Sequence, residues 1–252
     1  MRLAAARPPP LTLLRVALPV RGYMTGSTST SIWTAYSAGA REYCGQLLPD
    51  GLRKGDPLPA PMVTPTTKSD THDALISGAE IVAQGLMSEA HWERACRYAL
   101  TLFAVGQAAA AERGLLLVDT KYEFGVSAAG DVLLCDEVHT PDSSRYWVAS
   151  TYADRHSAGL EPESVDKEFL RLWFAERCDP YGTAPLPAAP RELVAELARR
   201  YVLLHDTITG SPLPLPPPGE TAKDAADKMR RDTEEALKAL RAPGGSLALA
   251  NT

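Results

Sequence analysis

The stretch Val118-Asp-Thr-Lys-Tyr-Glu-Phe-Gly125 gathers the ionisable side chains best placed for chemistry. At the two-residue period of a strand, Asp119, Lys121 and Glu123 share one face, and Val118, Thr120, Tyr122 and Phe124 share the other. Three alternating charges in an otherwise apolar strand are costly unless they line a site or face water. Ser127-Ala-Ala-Gly130 supplies a turn, and Asp131 to Val138 reads as the returning strand. If Val126 pairs with Asp131, Lys121 lies opposite Asp136 and Glu123 is its diagonal neighbour. Two carboxylates and an ammonium would then converge. Such a face can hold Mg²⁺ through one or two carboxylates, with nucleotide phosphates completing the shell and the lysine neutralising phosphate charge. A one-residue slip would turn Asp136 away, and a merely solvated hairpin face fits the same pattern.

Three polar loops offer further contacts. His139-Thr-Pro-Asp-Ser-Ser-Arg145 reads as a turn with a guanidinium suited to phosphate or carboxylate and serine hydroxyls as neutral donors. Arg21-Gly-Tyr-Met-Thr-Gly-Ser27 has the small residues, hydroxyls and arginine of a loop that approaches a phosphate, but it is not a Walker A loop. In Thr64-Pro-Thr-Thr-Lys-Ser-Asp-Thr-His-Asp73, Lys68 and Asp73 are either ligand contacts or surface charges. His72, His91, His139, His156 and His205 make no metal-ligand spacing with one another or with a cysteine, and no Gly-x-Ser-x-Gly elbow supports serine-hydrolase chemistry.

The elements that must position these residues are helices and short strands. Ser88 caps a helix with Trp92, Cys96, Ala99 and Phe103 on its core face, stopped by Gly114. Further helices are expected from Ser164 to about Arg177, with Val165, Phe169, Leu172 and Trp173 on one face, and from Pro190 to Thr209-Gly210. Val20 to Ser77 reads as loop-rich with a short helix near Ile32 to Ala40. Prolines from Pro212 to Pro218 favour an extended spacer, and Glu220 to Ala242 a solvated, charged helix.

With 252 residues and 45% hydrophobic content, the chain can bury a sizeable core. Its net charge of −5 gives no general basic surface, which favours small molecules over nucleic acid. Cys44, Cys96, Cys135 and Cys178 are scattered, as expected of reduced thiols in a reducing compartment. No apolar run has the length of a membrane span, so a soluble protein with no membrane partner is expected. The first twenty residues carry Arg2, Arg7 and Arg15 and no acid, a composition compatible with the start of a transit peptide.

Taken in order, Arg21 to Ser27, Thr64 to Lys68, Val118 to Gly125 and Asp136-Glu-Val-His-Thr-Pro-Asp-Ser-Ser-Arg-Tyr-Trp147 resemble the ordered motifs of SAICAR synthetases. The likeness continues through Asp166-Lys-Glu-Phe-Leu-Arg-Leu-Trp173 to Ile208-Thr-Gly210 and is similar in wording to the plant plastid and bacterial form. It implies an α+β, ATP-grasp-related two-lobed fold represented mainly by its C-terminal lobe. The expected organisation is a leader or lobe remnant over residues 1–19, a catalytic domain over 20–211, and a Pro-rich linker with a charged helical tail over 212–252. The resemblance implies an ATP-dependent ligase of purine biosynthesis that joins the carboxylate of the ribotide CAIR to L-aspartate, giving SAICAR, ADP and phosphate. Glu123 and Asp136 would be the Mg²⁺-associated carboxylates, and Lys121 a catalytic contact to nucleotide or substrate. Arg21, Ser27 and Arg145 would cradle the ribotide phosphate. Lys68 and Asp73 would lie on the substrate side, with Asp142 and Ser143 as further substrate contacts. Plastid stroma or cytoplasm, with self-association left open, is the implied setting. Family members carry a lysine-containing glycine-rich lobe before the Arg-Gly-Tyr motif, and only about twenty residues precede Arg21, so that lobe is expected to be missing. A catalytically impaired chain that binds a ribotide or a partner is the alternative. A chain without that lobe is also expected to expose apolar surface and to self-associate.

Overall fold

The computed structural model describes residues 11–28, 30–68, 74–179, 182, 184–214, 217 and 219–241. These fall into two compact units that divide between Ser211 and Pro212. In chain order, the first contains β1 (Thr12–Tyr23), α1 (Ile32–Ser37), β2 (Glu42–Tyr43), β3 (Gln46–Leu47), β4 (Pro57–Val63), β5 (Thr66–Thr67), α2 (Gly78–Ala83) and α3 (Glu89–Glu112). There follow β6 (Leu115–Val126), β7 (Val132–Cys135), β8 (Ser144–Val148), α4 (Ala149–Ser157), α5 (Glu168–Ala175) and α6 (Arg191–Thr209). The second unit contributes α7 (Ala222–Arg241), whose start is tied by Thr221 and Asp224 bonding reciprocally to each other's backbone N–H groups.

The sheet is antiparallel throughout and centres on two long strands, β1 and β6. β4 and β5 pair with the far edge of β1, and β7 and β8 with the far edge of β6. The apolar face of β6 (Val118, Tyr122 and Phe124) is buried together with Val16, Leu18 and Val20 of β1, as the alternation predicts. Helix α3 covers that face with Ala95, Ala99, Phe103 and Ala110. Its N-terminus is capped by Ser88, which accepts from His91 N–H at 3.2 Å, and Gly114 (φ 72°) follows its last turn. A smaller core of Met24, Ile32, Tyr36, Tyr43, Leu48, Leu58 and Met62 supports the loops after β1.

β1 runs through residue 19 as a central strand. Several expectations need correction. The region read as loop-rich contains β2 to β5. Three prolines obscure β4 (PLPAPMV) in the sequence; among the described residues it pairs only with β1 and so tolerates them at an edge. The β6–β7 hairpin is offset by one residue, because Gly130 (φ 85°) lets the loop close with Ser127 N–H donating to Asp131 C=O at 2.9 Å. Val126 therefore pairs with Val132, and Glu123 with Cys135. β7 ends at Cys135, and Asp136, at φ 68°, is exposed beyond it. It is not the cross-strand partner of Lys121, whose N–H donates instead to Ser143 C=O at 3.0 Å. Residues 163–166 do not begin a helix: Val148 N–H donates to Glu163 C=O and Val165 N–H to Tyr146 C=O, which aligns them with β8 and delays α5 to Glu168. Of the expected face of that helix, Val165 is buried, but no residue of α5 itself is.

Candidate functional site

Arg21, Asp119 and Arg145 occupy one cross-strand row over β1, β6 and β8, since Arg21 pairs with Asp119 and Asp119 with Arg145. Cross-strand partners share a face, so the row places a carboxylate between two guanidiniums. Arg145 Nη1 donates to Asp119 Oδ2 at 2.6 Å, and Arg21 Nη1 to the same oxygen at 3.4 Å. Arg21 Nε is held by Thr64 Oγ1 at 3.0 Å. From the start of α5, Glu168 Oε2 accepts from Arg145 Nη2 at 3.2 Å, and its other oxygen accepts from Ser27 Oγ at 2.8 Å. The three residues expected to cradle a phosphate thus belong to one network. Burial alone would lower the pKa of the Arg145 guanidinium, but the charges of Asp119, Glu168 and Asp166 outweigh it and raise the pKa. Glu168 stays below the usual carboxylate range because Arg145 and Ser27 outweigh its burial.

This network borders a cleft of about 270 Å³ lined by Asp119, Lys121, Glu137, Asp142, Ser143, Ser144, Arg145, Asp166, Lys167 and Arg171. Farther along β6, Glu123 forms ion pairs with Lys68 and, at 2.9 Å, with Lys121. Burial would raise its pKa, yet the two ammoniums lower it overall. The face therefore carries two charge clusters, one rich in arginine and one in lysine. Ser27 and Asp142 are exposed, and Asp142 pairs with Lys167, which keeps its carboxyl low. Asp73 and His72 lie outside the described residues.

The loop between β7 and β8 is fixed from beneath. Tyr122 OH lies 2.5 Å from His139 Nε2, and Tyr146 OH donates to His139 C=O at 2.8 Å. Burial lowers the pKa of the His139 imidazole, which favours its neutral form. Gly106 of α3 leaves room for this ring, since a Cβ there would sit 2.4 Å from His139 Cε1. Asp136 and His139 both adopt left-handed backbone (φ 68° and 57°), a cost sustained by these anchors.

Asp119 is expected on the charged face of β6 without a specific role, and Asp166, Lys167, Glu168 and Arg171 have no expected role. The last four lie in Asp166-Lys-Glu-Phe-Leu-Arg171, where attention to the apolar face hid the polar one. The available signal was the i,i+3 pair Glu168 and Arg171, whose side chains are 3.5 Å apart.

A family model described as SAICAR synthetase matches residues 9–186. The chain is 56% identical over 222 residues to the chloroplastic phosphoribosylaminoimidazole-succinocarboxamide synthase of Arabidopsis thaliana, covering 88% of this chain and 53% of that relative. It is also 56% identical over 195 residues to the synthase of Legionella pneumophila strain Lens, covering 77% and 62%. The chain thus spans between 53% and 62% of the length of these two relatives. Among solved structures, SAICAR synthase from Saccharomyces cerevisiae, complexed with SAICAR, superposes with a TM-score of 0.67 at 31% identity over 82% of this chain and 64% of that one. The α+β fold with its antiparallel sheet agrees with that likeness, and the chain belongs to the SAICAR synthetase family.

Proposed function

We propose that this chain carries the ribotide-binding face of an ATP-dependent ligase that joins the carboxylate of CAIR to the amine of L-aspartate, giving SAICAR, ADP and phosphate. The observation that carries the reading is the Arg21–Asp119–Arg145 row with Ser27 attached through Glu168. Asp119 holds two guanidiniums side by side, and paired guanidiniums suit the doubly charged phosphate of a ribotide. Membership of the family and the SAICAR complex of the yeast relative support that ligand.

In this reading Arg21, Ser27 and Arg145 take the ribotide phosphate, and Asp142 and Ser143 border the sugar and base. Lys68 and Asp73 lie on the substrate side, and Lys121 meets nucleotide or substrate. The CAIR carboxylate oxygen attacks the terminal phosphorus of ATP, releasing ADP and leaving an acyl phosphate. The nitrogen of L-aspartate then attacks the acyl carbon, loses a proton and expels phosphate. Most of the acceleration in such transfers comes from positioning and charge stabilisation. Lys68 and Lys121 supply cationic charge on the face where phosphates would gather.

Mg²⁺ commonly takes one or two carboxylates together with phosphate oxygens. Asp136 offers an exposed carboxylate beyond β7, and Glu123, whose two oxygens pair with Lys68 and Lys121, would exchange an ammonium for the metal. These two residues would hold the ion, which would neutralise charge on the transferring phosphoryl group. The chloroplastic name of the Arabidopsis relative supports a plastid setting.

The test is formation of SAICAR and ADP by the purified 252-residue chain given Mg-ATP, CAIR and L-aspartate, with the Glu123→Gln, Asp136→Asn double variant as blank. Turnover lost in the variant is expected. A folded chain that binds CAIR without turnover would reduce the reading to ribotide binding, and one that binds no CAIR would overturn it.

A further inference from the structure

Asp166 is only 2% exposed, yet it carries a carboxylate that makes no direct ion pair among the described residues. Its two oxygens are used by two different elements. Oδ2 accepts from Tyr146 N–H of β8 at 3.0 Å, and Oδ1 accepts from Glu168 N–H at the start of α5 at 2.7 Å. Tyr146 follows Arg145 in the chain, so one oxygen fixes the backbone that carries Arg145 and the other fixes the backbone that carries Glu168. On the β8 side the main chain reinforces the tie, through Val165 N–H to Tyr146 C=O at 3.2 Å.

We propose that Asp166 is a positioning residue of the cleft, a buried clamp whose two backbone hydrogen bonds set the spacing of Arg145 and Glu168 and thereby the cradle for a phosphorylated ligand. The inference rests on the proposed reading of this cleft as a ribotide-phosphate site. A carboxylate buried at this depth is expensive unless its acceptors are used, and both of them are spent on the strand and helix that bring Arg145 and Ser27 together. A site that must place two long side chains to within a fraction of an ångström gains from such a rigid support.

The charged and titratable groups facing Asp166 are Arg145 from β8, Glu168 from α5 and Tyr201 from α6. Burial pushes the Asp166 carboxyl up to about 6, opposed by Arg145 and by the two backbone donors. Protonation therefore removes acceptor strength from the clamp in an accessible pH range.

The experiment is calorimetric titration of CAIR into the 252-residue chain, wild type against Asp166→Asn, from pH 7.5 to 5. Asp166→Asn should weaken binding roughly tenfold or more at pH 7.5, as expected when a charge-assisted acceptor is lost. The gap should close as pH falls through about 6, where the wild-type carboxyl itself takes a proton. The ligand phosphate titrates equally in both proteins and cancels in the ratio. Equal affinities at pH 7.5, or a ratio independent of pH, would overturn the clamp. Absence of CAIR binding to the wild type would instead remove the reading beneath it. Asp166→Ser retains a side-chain acceptor for Glu168 N–H but is too short to reach Tyr146 as well, and it should bind as weakly as the Asn variant. Should neither variant fold, hydrogen exchange at the Tyr146 and Glu168 amides of the wild type decides. Joint loss of protection as pH falls through about 6 supports the clamp, and independent behaviour contradicts it.

Discussion

Replacing Arg145 by Met keeps the packing of the side-chain stem and removes the guanidinium from a network it holds together. Among the described residues Asp119 would retain only Arg21, at 3.4 Å. Glu168 would retain Ser27 at 2.8 Å and Arg171 at 3.5 Å. The Asp119 and Glu168 side chains are 13% and 15% exposed, so little water reaches them to replace the lost partner. Removing one member of a buried pair costs about 3–5 kcal/mol, and the donors that remain place the loss near ~3 kcal/mol. For a unit of this size, about 2–4 °C is lost per kcal/mol, giving a fall in Tm of roughly 6–12 °C. Urea unfolding of Arg145→Met against wild type measures this directly. Lys54→Met is the internal comparison: it breaks the Lys54–Glu161 pair, whose side chains are 36% and 58% exposed, and should cost under about 1 kcal/mol. A loss of less than about 1 kcal/mol for Arg145→Met would show that the network is no stronger than a surface ion pair and would refute the reasoning.

Two further outcomes follow from the same geometry. Lys68 and Lys121 hold the Glu123 carboxyl below its usual range against the effect of burial, so its folded pKa lies below its unfolded value of about 4.3. Its stabilisation is present above the unfolded pKa and is lost as pH falls through the folded one, so Glu123→Gln should flatten the acid limb of stability below about pH 4.3. A limb unchanged in the variant would remove Glu123 as its source. Gly26 adopts φ 112°, and a Cβ there would sit 2.3 Å from Ser31 Oγ, the acceptor that fixes Thr28 N–H at 2.9 Å. Gly26→Ala should cost about 1–3 kcal/mol in unfolding and weaken CAIR binding through the displaced Ser27 loop, whereas wild-type values in both measurements would show that the loop tolerates the shift.

The polar row of β6 was legible because alternation fixes which side chains share a face whatever the neighbouring strands do. The hairpin register was not, because it depends on the turn closed at Gly130, and the ladder stops at Cys135, before the left-handed backbone of Asp136. Arg21 and Arg145 were found through loop composition, yet both lie on strands. Their shared partner Asp119 emerges only when β1, β6 and β8 are placed side by side. Glu168 and Asp166 were hidden for a related reason: residues 163–166 pair with β8, a long-range contact that overrides the local helical pattern. Ser88 and Gly114 were read correctly as the limits of α3 because caps act within a few residues.

The central claim is that the Arg21, Ser27 and Arg145 cradle recognises a ribotide phosphate, and its most direct test is the affinity of the chain for CAIR compared with the same riboside lacking the phosphate. Two guanidiniums and a hydroxyl that contact the phosphate should make CAIR bind about 100-fold tighter or more, with that preference largely lost in Arg145→Met. Equal affinity for the two ligands in the wild-type chain would contradict the account.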